Sequence, residues 1–261
     1  MSSRSLQSLR PSRLWRSSRP LRSLRFWVCA SAAIALSTLV HAQQRPAATR
    51  ALEIKYVRES EEYAALTRQV YRLAADAVDR ARAGVSAPWA VVMDIDETTL
   101  DNSTYQVERA VYGLPFENDS WNAWVRRREA PPVPGVKAFI DRVRSGGGHV
   151  AWITNRDAIV ADATRANLTT AGLWNDDDRL CSLKPDYPKS QRRHEVVTGT
   201  GDCAWPGTSM KVLAFLGDQL GDFPEASEMI AATGTDDAFG RSCFLLPNPM
   251  YGDWTSRATR K

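Results

Sequence analysis

Two carboxylates stand two residues apart at the end of an apolar run, a spacing that is suited to chemistry. Residues 89–93 are apolar and predict a buried strand, and Asp94 and Asp96 follow it directly. Residues two apart in an extended chain point to the same side, so both carboxylates would face a common point. Such a pair can hold a divalent cation, and one member can attack an electrophile. The end of this strand is therefore a candidate active site.

Two further apolar segments end in polar residues. Residues 149–153 run into Thr154, Asn155 and Arg156, and residues 210–216 run into the sequence GDQLGD at 217–222. The stretches between these segments are long enough for the crossover connections that parallel strands require. Open parallel sheets bind ligands beyond the carboxyl ends of their strands. We therefore expect the three polar strand ends to meet in one crevice.

These segments resemble the haloacid dehalogenase (HAD) superfamily and, within it, the class C acid phosphatases, which include bacterial surface and periplasmic nucleotidases. Five segments carry the resemblance in the family's order: DIDETTLDNS at 94–103, ITNR at 153–156, LKPDYPKS at 183–190, GDQLGDF at 217–223 and LPNPMYGDW, which ends at Trp254. They span nearly all of the chain that follows residue 42.

The resemblance implies an α/β fold with a HAD-type, Rossmann-like parallel sheet flanked by helices. Residues 43–261 would form a single phosphatase domain. Within it, about 50–85, 103–134 and the C-terminal end would form a smaller, mainly helical subdomain over the active site.

The resemblance also implies a role for each acidic residue. Asp94 is expected to be the nucleophile that forms an aspartyl-phosphate, and Asp96 the general acid and base. Asp94 and Asp218 would ligate a metal ion, to which Asp96 would add its backbone carbonyl. Asp222 would orient this shell or bind the metal through water. Oxygen ligands and a phosphate favour Mg²⁺ over zinc or copper.

Phosphate binding is assigned to the second and third segments by the same resemblance. Thr154 and Asn155 would contact phosphoryl oxygens, and a lysine would supply positive charge. Lys189 matches the family's third motif best, and Lys184 is the alternative because it is nearer the preceding strand.

Two aromatic residues match positions at which relatives place rings around a nucleoside base. These are Phe116 and Tyr251. Stacking would give affinity without strict choice of the base. The alternative for both rings is ordinary packing between the subdomain and the core.

The basic character of the chain comes from its first residues. Residues 1–42 hold seven of the 34 basic residues and no acidic residue, so the remainder has 27 basic against 30 acidic residues. We therefore find no argument for binding to polymeric nucleic acid.

The same residues 1–42 resemble a signal peptide, with an Arg-rich start, an apolar stretch from Phe26 to Val40 and a cleavage pattern that ends at Ala42. We expect export to the periplasm or beyond, with cleavage after Ala42 and no stable membrane anchor. An overextended start or an uncleaved anchor is the alternative, and Cys29 is a poor match to a lipoprotein signal.

Three cysteines remain after the leader, namely Cys181, Cys203 and Cys243. In an oxidising compartment, one disulfide and one buried thiol is the simplest outcome. Cys243 lies in an apolar run, which leaves Cys181 and Cys203 as the predicted pair.

Apolar residues at steps of three and four predict one helix from about residue 52 to 83, with Gly84 as its stop. A second helix is predicted over residues 135–143.

The sequence as a whole predicts an exported, Mg²⁺-dependent phosphomonoesterase of the acid phosphatase type that acts on a small phosphomonoester, with nucleoside monophosphates as candidate substrates. Two alternatives stay open. One is a phosphotransferase that passes the phosphoryl group to an alcohol, and the other is a non-catalytic binding protein. A non-catalytic protein would normally have lost one of the aspartates on which the chemistry depends, and all four are present here: Asp94, Asp96, Asp218 and Asp222. Whether the protein forms a homo-oligomer is also left open.

Overall fold

The computed structural model describes residues 51–225 and 238–256. The predicted signal peptide and its cleavage site lie outside these residues. These described residues form one compact unit.

Among the described residues, one sheet of five parallel strands organises the fold, in the order β3-β2-β1-β4-β5. The strands are β1 (Trp89–Met93), β2 (His149–Asp157), β3 (Arg179–Leu183), β4 (Lys211–Gly217) and β5 (Cys243–Leu245). The order places β1 at the centre, between the two strands whose polar ends the sequence predicted to lie beside it. The predicted parallel α/β fold is thereby confirmed.

Helices precede, connect and cover the strands. They are α1 (Leu52–Glu59), α2 (Glu61–Arg82), α3 (Ser103–Tyr112), α4 (Asn118–Arg127), α5 (Val136–Ser145), α6 (Ala161–Thr170) and α7 (Lys189–Thr198). Short 3₁₀ turns span Ala158–Val160, Leu220–Asp222 and Asp253–Ser256.

The central strand β1 is buried on both faces. All five of its residues are buried, and they divide by alternation between two apolar clusters. Val91 and Met93 belong to one cluster, and Ala90 and Val92 belong to the other. Burial on both faces is typical of parallel strands with helices on each side. It holds the strand end that carries Asp94 in a fixed position.

The long helix predicted from residue 52 to 83 is two helices, because the chain turns extended at Ser60. The Ser60 side chain accepts a hydrogen bond from the backbone N–H of Tyr63 at 3.0 Å. This N-cap satisfies a free donor at the start of α2 and ends α1 before it. The apolar periodicity continues through the break, so periodicity alone predicted one helix.

Helix α2 packs on α5 and on β4. Its buried residues Tyr71, Ala74 and Val78 share an apolar cluster with Val91 of β1. α2 therefore contributes to the core of the sheet, whereas α1 packs on α3. The division into a core and a helical subdomain stays a prediction.

The predicted disulfide between Cys181 and Cys203 is not present in this structure. Both residues and Cys243 are buried, and none of the three forms a disulfide within the described residues. The two thiols of the predicted pair are nevertheless in hydrogen-bond contact, which lowers the pKa of Cys203, and Cys203 Sγ also lies 3.3 Å from the Tyr187 hydroxyl.

None of the described helices combines the length and the apolar character that a membrane span requires.

Candidate active site

The carboxyl ends of the strands surround one cavity of about 810 Å³. Asp94 and Asp96 line it from the end of β1, Asn155 from β2, and Lys189 from the start of α7. Asp222 lines it from the turn after β4. The sequence segments that carried the resemblance therefore meet at one edge of the sheet, as expected for a parallel α/β fold.

Three carboxylates converge beside this cavity. Asp94, Asp218 and Asp222 each offer an oxygen, and these oxygens lie within 4.8 Å of one another. All three residues are buried, between 7% and 8% exposed. The polypeptide brings Asp94 and Asp218 together from positions far apart in the chain, because β1 and β4 are neighbours in the sheet.

Neighbouring side chains fix the Asp218 carboxylate. The hydroxyl of Thr98 donates to one oxygen at 3.2 Å, and the amide of Asn248 donates to the other at 2.8 Å. These contacts connect the turn after β1 and the segment after β5 to the residue that follows β4. The carboxylate is therefore held in a single orientation toward Asp94.

The close approach of Asp222 requires a glycine at the end of β4. A Cβ atom at Gly217 would lie 2.2 Å from the Asp222 Cβ. That separation is far below any real carbon contact, so only glycine lets the turn fold back this tightly. The backbone N–H of Gln219 then donates to Asp222 at 2.8 Å and closes the turn.

Lys189 neutralises part of this acidic cluster. Its Nζ lies 2.5 Å from Asp94 Oδ1 and 2.5 Å from Asp222 Oδ1. Burial alone would lower the pKa of Lys189, but the charges of Asp94 and Asp222 outweigh it and raise this pKa above its usual value. Lys184 instead pairs with Asp202, and both side chains are largely exposed. The structure thus places Lys189, and not Lys184, against Asp94.

Burial also shifts the pKa values of the acidic side chains. It raises the pKa of Asp94 well above its usual range, and Lys189 opposes this shift. Burial, together with the charge of Asp222, raises the pKa of Asp218 to about 7. Without further positive charge these two groups would therefore tend to hold protons near neutral pH.

The donor set fits a divalent cation. Three buried carboxylates receive one positive charge from Lys189, so the cluster carries excess negative charge. Carboxylate oxygens are the hard ligands that Mg²⁺ and Ca²⁺ prefer. Asp222 is a full member of this cluster and could ligate directly, whereas the sequence assigned it to the surrounding shell. The Asp96 carboxylate does not belong to it.

Asp96 is held by a buried arginine and an amide. Arg156 Nε donates to Asp96 Oδ1 at 2.9 Å, and its Nη2 lies 2.8 Å from the same oxygen. The Asn102 amide also donates to Oδ1, at 2.9 Å. Asp94 and Asp96 thus line one cavity, yet their carboxylates have separate environments.

A second buried arginine, Arg192 of α7, fixes the end of β2. Arg192 donates to the Thr154 carbonyl at 2.6 Å and to Asn155 Oδ1 at 3.1 Å. The Thr154 hydroxyl is buried and accepts from the Arg156 N–H at 3.0 Å. Asn155 lines the cavity, but Thr154 does not. A phosphate contact from Thr154 therefore stays a prediction.

Aromatic rings form part of the outer wall of the cavity. Phe116, Trp121 and Tyr251 line it. Phe116 is 61% exposed, and its ring centroid lies 6.1 Å from that of Trp121 in a tilted arrangement and 6.4 Å from that of Tyr105 in an edge arrangement. The structure thus brings Phe116 and Tyr251 to the same cavity and leaves most of the Phe116 ring free to meet a ligand.

Several residues of the site were not singled out from the sequence. Arg156 lay within the ITNR segment but received no role, and Arg192 lay within the predicted helix after Lys189. Asn102 and Asn248 lay within the segments DIDETTLDNS and LPNPMYGDW, and they also received no role. A buried arginine has no local signature, because its burial depends on which strand ends surround it.

The sequence profile of the HAD superfamily, subfamily IIIB (acid phosphatase), matches residues 17–254. The chain belongs to this family.

Solved structures and curated relatives agree with this membership. The class C acid phosphatase from Bacillus anthracis superposes with a TM-score of 0.67 at 28% identity, over 79% of this chain and 86% of that chain. A second structure of that enzyme, with tungstate bound, gives the same values.

Among plant proteins, the Stem 31 kDa glycoprotein of Glycine max is 26% identical over 168 residues, which cover 61% of this chain and 58% of the relative. Acid phosphatase 1 of Solanum lycopersicum is 26% identical over 167 residues, 61% of this chain and 57% of the relative. The chain thus spans less than two thirds of the length of these plant relatives.

Proposed function

We propose that this protein is a Mg²⁺-dependent phosphomonoesterase of the acid phosphatase type that acts through an aspartyl-phosphate on Asp94. One observation carries the proposal. A buried carboxylate at the end of the central strand lies 2.5 Å from a lysine and within 4.8 Å of two further carboxylates. Membership of the acid phosphatase family and the class C fold support it.

The first step transfers the phosphoryl group to the protein. An oxygen of Asp94 attacks phosphorus, the bond from phosphorus to the leaving oxygen breaks, and Asp96 gives that oxygen a proton. Asp94 must be ionised to attack, yet its burial favours the protonated form. Lys189 opposes that effect at 2.5 Å and would also meet a phosphoryl oxygen.

The second step returns the protein to its starting state. Water attacks the phosphorus of the aspartyl-phosphate and gives a proton to Asp96, and the bond from phosphorus to Asp94 breaks. A Mg²⁺ ion held by Asp94, Asp218 and Asp222 would neutralise charge on the transferring group.

Nucleoside monophosphates are the substrates that we propose. The cavity of about 810 Å³ is much larger than a phosphate group, and Phe116 and Tyr251 line its outer part. Rings at this place can stack on a base without hydrogen-bonding to its edge. The tungstate in the Bacillus anthracis structure is a tetrahedral oxyanion, as phosphate is, which supports a phosphate-sized subsite.

Export to the periplasm or beyond, with cleavage after Ala42, is part of the same proposal and rests on the sequence of the leader.

Phosphate release tests this function directly. Wild-type protein is expected to release phosphate from adenosine monophosphate and p-nitrophenyl phosphate with Mg²⁺, and to lose this activity with a chelator. Lys189→Met should lower kcat/KM by about 10²-fold or more, because a positive charge beside the reacting phosphate is lost. Lys184→Met is the matched control and should retain activity, because Lys184 pairs with Asp202 at the surface.

Equal losses in both lysine variants, or activity that is unchanged by the chelator, would contradict the proposal. Equal kcat/KM for nucleotides and for glycerol phosphate would count against Phe116 and Tyr251 as a base-binding pair.

A further inference from the structure

Asn102 connects the proposed proton donor to the helix that lines the substrate cavity. Its Nδ2 donates to Asp96 Oδ1 at 2.9 Å, and its Oδ1 accepts from Trp124 Nε1 at 2.8 Å. Trp124 lies on α4, and Asn118, Trp121 and Asn122 of the same helix line the cavity.

The amide of Asn102 can take only one orientation in these surroundings. The indole of Trp124 and the guanidinium of Arg156 donate hydrogen bonds and accept none. Both are directed at Asn102 Oδ1, at 2.8 Å and 3.2 Å. The amide NH₂ must therefore point at Asp96, because the flipped amide would place two donors against its NH₂ and its oxygen against a carboxylate.

Burial strengthens this restriction. Asn102 and Arg156 are fully buried, and Trp124 is 3% exposed. Water cannot replace a lost hydrogen bond at such positions without cost. The backbone N–H of Asn102 also donates to the buried Glu97 carboxylate at 2.8 Å, which fixes the backbone from which the amide projects.

The arrangement makes the two oxygens of Asp96 unequal. Within the described residues, each hydrogen bond to the Asp96 carboxylate ends on Oδ1, from Arg156 and from Asn102. An oxygen with its lone pairs occupied in this way is a poor site for a proton. Oδ2 is thus the oxygen through which Asp96 would exchange a proton with a substrate.

We propose that Asn102 and Trp124 are positioning residues for proton transfer, which hold Asp96 so that Oδ2 faces the leaving oxygen in the cavity. Trp124 acts through Asn102 and contacts neither Asp96 nor substrate. Through this chain of contacts, the helix that forms one wall of the cavity also sets the orientation of the proton donor. The inference rests on the proposed function, in which Asp96 protonates the leaving group.

Substrates whose leaving groups differ in stability can show whether Asn102 and Trp124 position the proton donor or only stabilise the fold. p-Nitrophenolate is a stable anion and leaves with little help from a proton, whereas the alkoxide of glycerol phosphate requires protonation. The quantity to compare is kcat/KM, because it covers only the steps up to departure of the leaving group.

Trp124→Phe removes the indole N–H and keeps most of the packing. We expect kcat/KM for glycerol phosphate to fall about 10-fold or more and that for p-nitrophenyl phosphate to fall less than about 3-fold. Asn102→Asp should show the same selectivity, because the new carboxylate still accepts from Trp124 and Arg156 but places an oxygen, instead of a donor, against Asp96 Oδ1.

Trp205→Phe is the matched control. Trp205 is 7% exposed and donates its indole N–H to the Asp177 carbonyl at 2.7 Å, away from the cavity. It should lose thermal stability as Trp124→Phe does, and its kcat/KM values should keep the wild-type ratio between the two esters.

The outcomes distinguish the inference from the function on which it rests. A fall of equal size on both esters, or no fall, in Trp124→Phe and Asn102→Asp would overturn the inference and leave the proposed function standing. If Trp124→Phe does not fold, Asn102→Asp decides. Wild-type protein that releases no phosphate from either ester would overturn the proposed function, and the inference with it.

Discussion

The pKa of Asp218 is raised both by burial and by the negative charge of Asp222. Burial and Asp222 raise its pKa to about 7, although Asn248, Lys189 and Thr98 pull this pKa downward. Burial likewise raises the pKa of Asp94. The cluster is therefore a costly arrangement of negative charge at neutral pH, and protons or a cation relieve it.

This cost predicts how the stability of the metal-free protein depends on pH. The folded-state pKa of Asp218 is raised above its unfolded value, so the folded state binds an additional proton between the two values. The stabilisation is present at low pH and is lost as the pH rises through about 7. In the presence of a chelator, the Tm at about pH 5.5 should exceed that at about pH 7.5.

Asp218→Asn is the control, because an amide of the same shape does not titrate, and it should reduce this difference in Tm. Mg²⁺ should raise the Tm more at the higher pH, since protons compete with the metal for the same oxygens. A Tm that rises between about pH 5.5 and pH 7.5 in the metal-free protein would show that other groups dominate.

At the scale of elements, the turn between β4 and the 3₁₀ segment Leu220–Asp222 sets the geometry of the acidic cluster. Gly217 allows Asp222 to fold back against the strand end, and the Gln219 N–H holds it there. Lys189 reaches the same point from the first residue of α7. Two short connections, rather than any long element, therefore determine the distances within the site.

Gly217→Ala should disrupt this turn specifically. The new Cβ would meet Asp222 at 2.2 Å, so the backbone or Asp222 must move. We expect the Mg²⁺ concentration for half-maximal activity to rise about 10-fold or more, in the range found when groups that orient metal ligands are lost. Gly221→Ala is the matched control, because a Cβ there meets open space. Equal metal requirements in the two variants would argue against the turn as the determinant of metal affinity.

At the scale of the whole molecule, the sequence predicted the frame of the site better than its interior contacts. The β1 residues form the strand that their apolar run predicted, and the polar residues that follow it lie at the cavity. These features follow from the local sequence pattern. An apolar run predicts a buried strand, and polar residues directly after it predict a site at the carboxyl end of that strand. The parallel sheet then brings the strand ends together.

Contacts that depend on three-dimensional approach could not be predicted in this way. Asn102, Trp124 and Arg156 come from three separate segments, and their network follows from the packing of α4 beside the strand ends. The disulfide between Cys181 and Cys203 was predicted from the number of cysteines and an assumed oxidising compartment. The structure brings these two side chains into hydrogen-bond contact but leaves them as thiols, because a disulfide requires a sulfur geometry that the sequence does not specify.

The molecule as a whole would convert a substrate only if Asp94 takes the phosphoryl group. Acid quenching of the protein during turnover of p-nitrophenyl phosphate, followed by mass spectrometry of its peptides, tests this most directly. We predict a mass increase of one phosphoryl group on the peptide that contains Asp94, and no such increase in Asp94→Asn, whose kcat/KM should fall by about 10³-fold or more. Undiminished phosphate release in Asp94→Asn, or a phosphoryl group on another residue, would contradict the assignment of Asp94 as the nucleophile.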